Sequence, residues 1–284
     1  MKSIFTLLVI SLFTTAVFAE VSLTEKNALI QLNKATNGSQ WNNKWDLNKT
    51  VSTWYGVKVV NEKVISIDLS SNNLVGVLPI EISDLVNLKS LILFQNSISG
   101  ELPSTIKNMK SLEVLNISFN KLSGTFSSEL CNVTTLKSVE LFMNNLTGTI
   151  PSEIKNLKQL EVLSLYNNSL SGDIPSELYQ ITSLKVLLLN SNKITGQLSS
   201  EIAKLNSLEN LSLFDNNMKG QVPLNLENLN NLKQMNISYN GFNGIVSKKL
   251  SQKDALNMTM VNDYGVATTL KVGMDKDKSI ASEE

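Results

Sequence analysis

Histidine and arginine are both missing from the 284 residues, so all 25 basic side chains are lysines. Without imidazole there is no side chain of ordinary pKa near neutrality to act as a general base, and no histidine metal ligand. Without guanidinium there is no bidentate clamp for phosphate or carboxylate. One cysteine, Cys131, excludes an intramolecular disulfide and any cysteine-cluster zinc or iron–sulfur site. The lysines are balanced by 25 carboxylates, which leaves no net charge to draw in nucleic acid or an anionic membrane surface. Proline is equally sparse, with five residues, and its placement is informative.

Long apolar runs are also lacking, with one exception. Met1 to Ala19 carries Lys2, an apolar stretch from Ile4 to Leu12, and Val17 and Ala19 at the spacing of a cleavage site. The uninterrupted apolar core is too short to cross hydrocarbon comfortably, so residues 1–19 read as a cleaved signal peptide. The expectation is a chain exported from about Glu20, secreted to an extracellular or periplasmic space, with no membrane-spanning segment.

What is present is a period of 24. Asn recurs at 72, 96, 120, 144, 168, 192, 216 and 240, and Gly at 76, 100, 124, 148, 172, 196, 220 and 244. Pro79, Pro103, Pro151, Pro175 and Pro223, all the prolines of the chain, share one phase; Ser127, Ser199 and Ser247 hold it elsewhere. One unit reads Leu160-x-x-Leu163-x-Leu165-x-x-Asn168-x-Leu170-x-Gly172-x-Ile174-Pro175, the leucine-rich repeat pattern. Alternating leucines predict a short strand with its apolar side inward. Asn can donate and accept at the turn that follows. Apolar residues three apart, as in Glu153-Ile154-Lys155-Asn156-Leu157, suit a 3-10 or short helical turn opposite the strand. A single unit cannot bury its apolar edge, but stacked units can. The predicted fold is an α/β solenoid of about eight 24-residue coils, with a concave parallel β-sheet roughly 34 Å long at about 4.8 Å per strand.

Open ends of such a stack must be sealed. Residues 20–60 are expected to form the N-terminal cap. Ser22-Leu23-Thr24-Glu25 has capping-box spacing ahead of Ala28, Leu29 and Leu32, and all three tryptophans, Trp41, Trp45 and Trp54, fall there. The repeats occupy 61–247. A ninth would need Asn and Gly where Tyr264 and Thr268 stand. A degenerate C-terminal cap over 248–272 follows, with Leu250, Leu256 and Val261 in phase and Val266 to Val272 as one strand, then a disordered tail over 273–284.

Leu146-Thr147-Gly148-Thr149-Ile150-Pro151 and Leu170-Ser171-Gly172-Asp173-Ile174-Pro175 resemble the plant-type leucine-rich repeat subfamily. That subfamily includes receptor-kinase ectodomains and polygalacturonase-inhibiting proteins, and similar secreted repeat proteins occur in bacteria. The resemblance spans roughly residues 20–250. It implies recognition of proteins, peptides or glycans along the concave face. One departure is in the cap, where Ser52 and Val59 stand at the positions of the family's disulfide.

Side chains between the inward leucines face solvent on the concave sheet. Two positions before the repeat Asn stand Ser70, Phe94, Ser118, Phe142, Tyr166, Asn190, Phe214 and Ser238; four before it stand Asp68, Ile92, Asn116, Glu140, Ser164, Leu188, Ser212 and Asn236. Four aromatics in one exposed column mark an interaction surface. The expected ligand-binding residues are Phe94, Glu140, Phe142, Ser164, Tyr166, Leu188, Asn190 and Phe214, with Phe142 and Tyr166 at the centre. The expected partner is a protein or peptide. The alternative is a carbohydrate or cell-wall surface, met by the same aromatics as platforms, or ice, whose water an Asn- and Ser-rich repetitive face can order. No catalytic group, cofactor or metal is expected. Cys131 aligns with Lys107, Lys155, Tyr179 and Ala203, a convex position expected to leave it at the surface or half-buried.

Overall fold

The computed structural model describes residues 20–256, 258–262 and 265–273. The expected signal peptide, and the tail beyond Gly273, lie outside the described residues. The nine strands of the main sheet are β1 (Val57–Val60), β2 (Lys63–Asp68), β3 (Ser90–Ile92), β4 (Val114–Asn116), β5 (Ser138–Glu140), β6 (Val162–Ser164), β7 (Val186–Leu188), β8 (Asn210–Ser212) and β9 (Gln234–Asn236). They lie side by side in chain order. β1 and β2 are antiparallel, and every later pairing is parallel with partners 24 residues apart, as in Ser138↔Val162 and Val186↔Asn210. The sequence period is therefore the register of the sheet.

Each coil repeats one set of interactions. The central strand residue points inward, so Leu91, Leu115, Val139, Leu163, Leu187 and Leu211 form one buried column. Removing each such side chain from water contributes about 2 kcal/mol. At the turn, Asn168 Nδ2 donates to the carbonyls of Leu141 and Leu165, both at 3.0 Å, and its Oδ1 accepts from Leu146 N–H at 2.9 Å. Asn96, Asn120, Asn144, Asn192, Asn216 and Asn240 repeat this pattern, each joining its coil to the one before. These backbone groups would otherwise be buried between coils without partners. The prolines sit with φ between −62° and −75° and open the five-residue 3-10 turns of the convex side. Where proline is missing, the Ser199 and Ser247 hydroxyls cap the turn, accepting from Glu201 and Leu250 N–H.

A charge ladder runs beside the sheet. Seven positions before each Asn the chain alternates Lys89, Glu113, Lys137, Glu161, Lys185, Glu209, Lys233. Lys137 meets Glu113 at 2.7 Å, Lys185 meets Glu161 at 2.7 Å and Lys233 meets Glu209 at 2.6 Å, with Lys89 to Glu113 longer at 3.7 Å. The Lys137 hydrogen bond is the main cause holding Glu113 below the usual carboxylate range.

The ends differ in chemistry. At the N-terminus α1 (Leu23–Ala35) is capped by Ser22 Oγ, which accepts from Glu25 N–H at 3.2 Å. Trp41, Trp45 and Trp54 are buried together at centroid spacings of 4.8 Å, Trp41 edge-on to Trp45 and Trp45 stacked on Trp54. Their indole N–H groups donate to the carbonyls of Thr36, Tyr55 and Asp46. Asn72 has no preceding coil to join, and its Oδ1 accepts from Asn43 N–H in the cap instead. At the C-terminus, buried Asp254 takes the place of the next coil. Its carboxylate accepts from Ile237 N–H at 2.7 Å, Ser238 Oγ at 2.8 Å, Met258 N–H at 2.9 Å and Leu256 N–H at 3.0 Å. In the coils before it, the N–H at the position of Ile237 donates to the next strand, as Leu213 does to Asn236 O.

Three expectations are corrected. Cys131 is fully buried, and Ser83 and Tyr179 are buried at the same position of other coils, so this convex position takes a small or apolar side chain inward where lysine stays exposed. Val266 to Val272 forms two short strands, Ala267–Thr269 and Lys271–Gly273, so the structure continues to Gly273, which had been assigned to the tail. Leu256 is exposed, its backbone N–H engaged by Asp254, so only Leu250 of that pair is core.

Candidate functional site

From β3 onward the strands are three residues long, and the chain turns sharply into the Asn column. The residue just before each Asn takes up that turn with positive φ: Ser71, Gln95, Phe119, Met143, Asn167, Ser191, Asp215 and Tyr239 all lie between 52° and 58°. Polar residues at most of these positions tolerate the left-handed region. Phe119 and Tyr239 do not, and holding a bulky aromatic there costs about 1–2 kcal/mol. Both rings are largely open to solvent, at 39% and 44% exposure. Sequence reasoning missed them because it followed only the strand positions. The signal was a phenylalanine and a tyrosine in a column otherwise mostly Ser, Asn, Asp and Gln.

Phe119 completes an aromatic run. Its centroid is 5.5 Å from Phe94 and 5.8 Å from Phe142, edge-on to both. Phe142 and Tyr166 are stacked at 4.4 Å with planes 10° apart. Phe94 and Phe142 are 6.3 Å apart although a coil lies between them. Two strand spacings are about 9.6 Å, so these rings lean together over the intervening Ser118, which is fully buried. A second pair, Phe214 and Tyr239, has centroids 5.1 Å apart. Asn190 and Ser191 form a polar gap between the two groups.

Of the expected binding residues, Phe94, Glu140, Phe142, Tyr166, Leu188, Asn190 and Phe214 are half-buried on the concave face. Phe94, Phe142, Tyr166 and Glu140 are brought together; Phe214 belongs to the second group. Ser164 is corrected: it is 3% exposed, with its hydroxyl unpartnered, on the coil whose Tyr166 ring lies stacked above. It supports the ring and is closed to a ligand. The Tyr166 phenol is pushed above its ordinary range by burial and then by the Glu140 charge. Toward the C-terminal end lies a hollow of about 540 Å³ whose lining includes Leu188, Asn190, Ser212, Gln234, Asn236 and Lys253.

Among the described residues no cluster of three or more His, Cys, Asp or Glu side chains could hold a metal ion. No described helix is long and apolar enough to cross a membrane. The Cys131 thiol is pushed up to about 12 by burial, which keeps it protonated and unreactive.

A stack of 24-residue coils, with an Asn ladder and an open parallel sheet, is a leucine-rich repeat solenoid. The comparisons agree. The Leucine Rich Repeat model matches residues 63–85, 87–109 and 111–133, and the Leucine-rich repeat region model matches 130–262. The chain belongs to the leucine-rich repeat family, in its plant-type form. It is 32% identical over 96 residues to the leucine-rich repeat protein FLOR 1 of Arabidopsis thaliana, covering 32% of this chain and 29% of that protein. It is 28% identical over 98 residues to polygalacturonase inhibitor 1 of the same plant, covering 33% of this chain and 30% of the inhibitor. The matched stretches thus span less than a third of those relatives. Among solved structures, the plant peptide hormone receptor RGFR1 in complex with RGF2 superposes with a TM-score of 0.64 at 31% identity, over 73% of this chain and 32% of that one.

Proposed function

We propose that the protein is an exported, non-enzymatic recognition module that binds a protein or peptide ligand on the concave face of its solenoid. The observation that carries this reading is the aromatic run Phe94–Phe119–Phe142–Tyr166. Four rings cross adjoining coils, and one of them is held in a backbone conformation that costs free energy. Exposed clustered aromatics are the usual anchors of binding surfaces. Export rests on the pattern of residues 1–19. The similarity to a receptor described in complex with RGF2 supports the choice of ligand class.

Ring geometry suits a peptide. Tyr166 is stacked on Phe142, and Phe119 stands edge-on to Phe94 and Phe142, so the run offers a corrugated surface of faces and edges to ligand side chains. The test is selection from a displayed random-peptide library on the immobilised protein and on a Phe142→Ala/Tyr166→Ala variant of equal melting temperature. Recovery of specific peptides by the parent alone is expected. Identical pools from both, or binding only to polysaccharides on a glycan array, would overturn it.

A further inference from the structure

The outward columns of the repeat strands and the turn column before the Asn contain no lysine, in a chain that has 25 basic residues, yet they hold Asp68, Glu140 and Asp215. The lysines of this face lie at its two ends, Lys58 on β1 and Lys233 and Lys253 at the C-terminal hollow. Asp68 is engaged locally, accepting from the Ser70 hydroxyl at 2.6 Å and the Ser70 N–H at 3.1 Å. Asp215 lies at the turn beyond Phe214. Glu140 alone stands within the aromatic run.

Its circumstances differ from those of the other glutamates along the sheet. Glu113, Glu161 and Glu209 each meet a lysine at 2.6–2.7 Å. Glu140 accepts from the Ser138 hydroxyl at 3.1 Å and enters no ion pair among the described residues. It is half-buried beside the Phe142/Tyr166 stack, close enough for its charge to act on the Tyr166 phenol. A carboxylate with no cation beside an apolar anchor surface is a ready partner for a ligand cation, whereas an anionic ligand would meet like charge there.

The far end of the face sets a second condition. Three coils on, at roughly 14 Å by strand spacing, the hollow presents Asn190, Asn210, Ser212, Gln234 and Asn236, together with Lys233, which is paired with Glu209, and Lys253, which donates to Leu232 O. The neutral groups both donate and accept, which matches the backbone of an extended chain. Four or five extended residues bridge the interval.

Resting on the reading of the concave face as a peptide site, we propose that Glu140 selects a lysine or arginine side chain of the ligand. An adjoining aliphatic or aromatic residue of the ligand seats on the rings of Phe119, Phe142 and Tyr166, and its backbone runs on toward the amide-lined hollow.

The experiment uses the displayed random-peptide library on the wild-type protein, Glu140→Gln and Glu140→Lys, each checked for an unchanged melting temperature. The wild-type pool is expected to be enriched in Lys or Arg next to an apolar residue. The enrichment should vanish with Glu140→Gln and give way to Asp or Glu with Glu140→Lys, while the apolar preference persists. A selected peptide should bind Glu140→Gln about tenfold more weakly, the size of one charge-assisted hydrogen bond. An apolar pool without cation bias, or a cation bias unchanged in both variants, overturns this proposal and leaves the peptide site standing. A pool indifferent to Phe142 and Tyr166 overturns the site itself, so the two failures are distinguishable.

Discussion

At the N-terminal end three indoles are clustered over the first coil, each with its N–H on a backbone carbonyl. At the C-terminal end a single buried carboxylate gathers four donors from the last coil and the loop beyond it. The first end exposes strand β2 and the apolar flank of its coil, so apolar area and an added antiparallel strand suit it. The second leaves the Ile237 N–H, which the next coil would have accepted, and Asp254 supplies the acceptor. Both edges carry N–H and C=O groups, and beside Asp254 the C-terminal loop meets each kind, with Met235 N–H donating to Lys253 O and Met235 O accepting from Ala255 N–H, so the same need is met by different residues at the two ends.

That contrast can be broken in order of expected effect. Trp41→Ala should destabilise by about 3–5 kcal/mol in denaturant melts, the cost of a large cavity, whereas Trp41→Phe should recover much of it. If the two were equal, apolar area would not be what seals that end. Asp254→Ala should cost about 3 kcal/mol through the donors it strands, with faster amide exchange confined to Met235–Asn240. Asp254→Leu, which adds apolar area without an acceptor, should not rescue it; rescue would erase the distinction between the caps. Away from both ends, Phe119→Asn relieves a strained turn while losing ring contacts, so stability should move by no more than about 1 kcal/mol. Capture of selected peptides should nevertheless fall, and parallel loss of both would make Phe119 structural. The smallest effect belongs to the charge ladder. Glu113 has its pKa lowered in the folded state, so its contribution is present above the ordinary glutamate value and lost as pH falls through the folded one. Lys137→Met should lower the melting temperature slightly at neutral pH, with the difference closing in acid.

How much of this was readable beforehand varies by column. The Asn, Leu, Gly and Pro columns were legible because each solves a backbone problem that recurs in every coil, and recurrence is visible in a sequence. The aromatic pair Phe142 and Tyr166 was legible from the alternation of the strand. Phe119 was not, because its exposure comes from a left-handed turn whose φ is set by closure of the coil. Ser164 and Ser118 had the right parity to face a ligand, but both are buried beneath the aromatic run. On the convex side Cys131 stands where other coils carry exposed lysines, and its burial follows from side-chain chemistry that the period does not specify. The acceptor role of Asp254 carried no repeat signal, since it occurs once.

By itself the sequence determined the period, the register and the inward face, because a 24-residue repeat can bury its leucines only by stacking in phase. Tertiary structure decided which outward side chains stay wet, which lean over their neighbours, and how each end is closed. Those outcomes depend on contacts between coils and on edges that exist once, and neither is encoded in the pattern of a single unit.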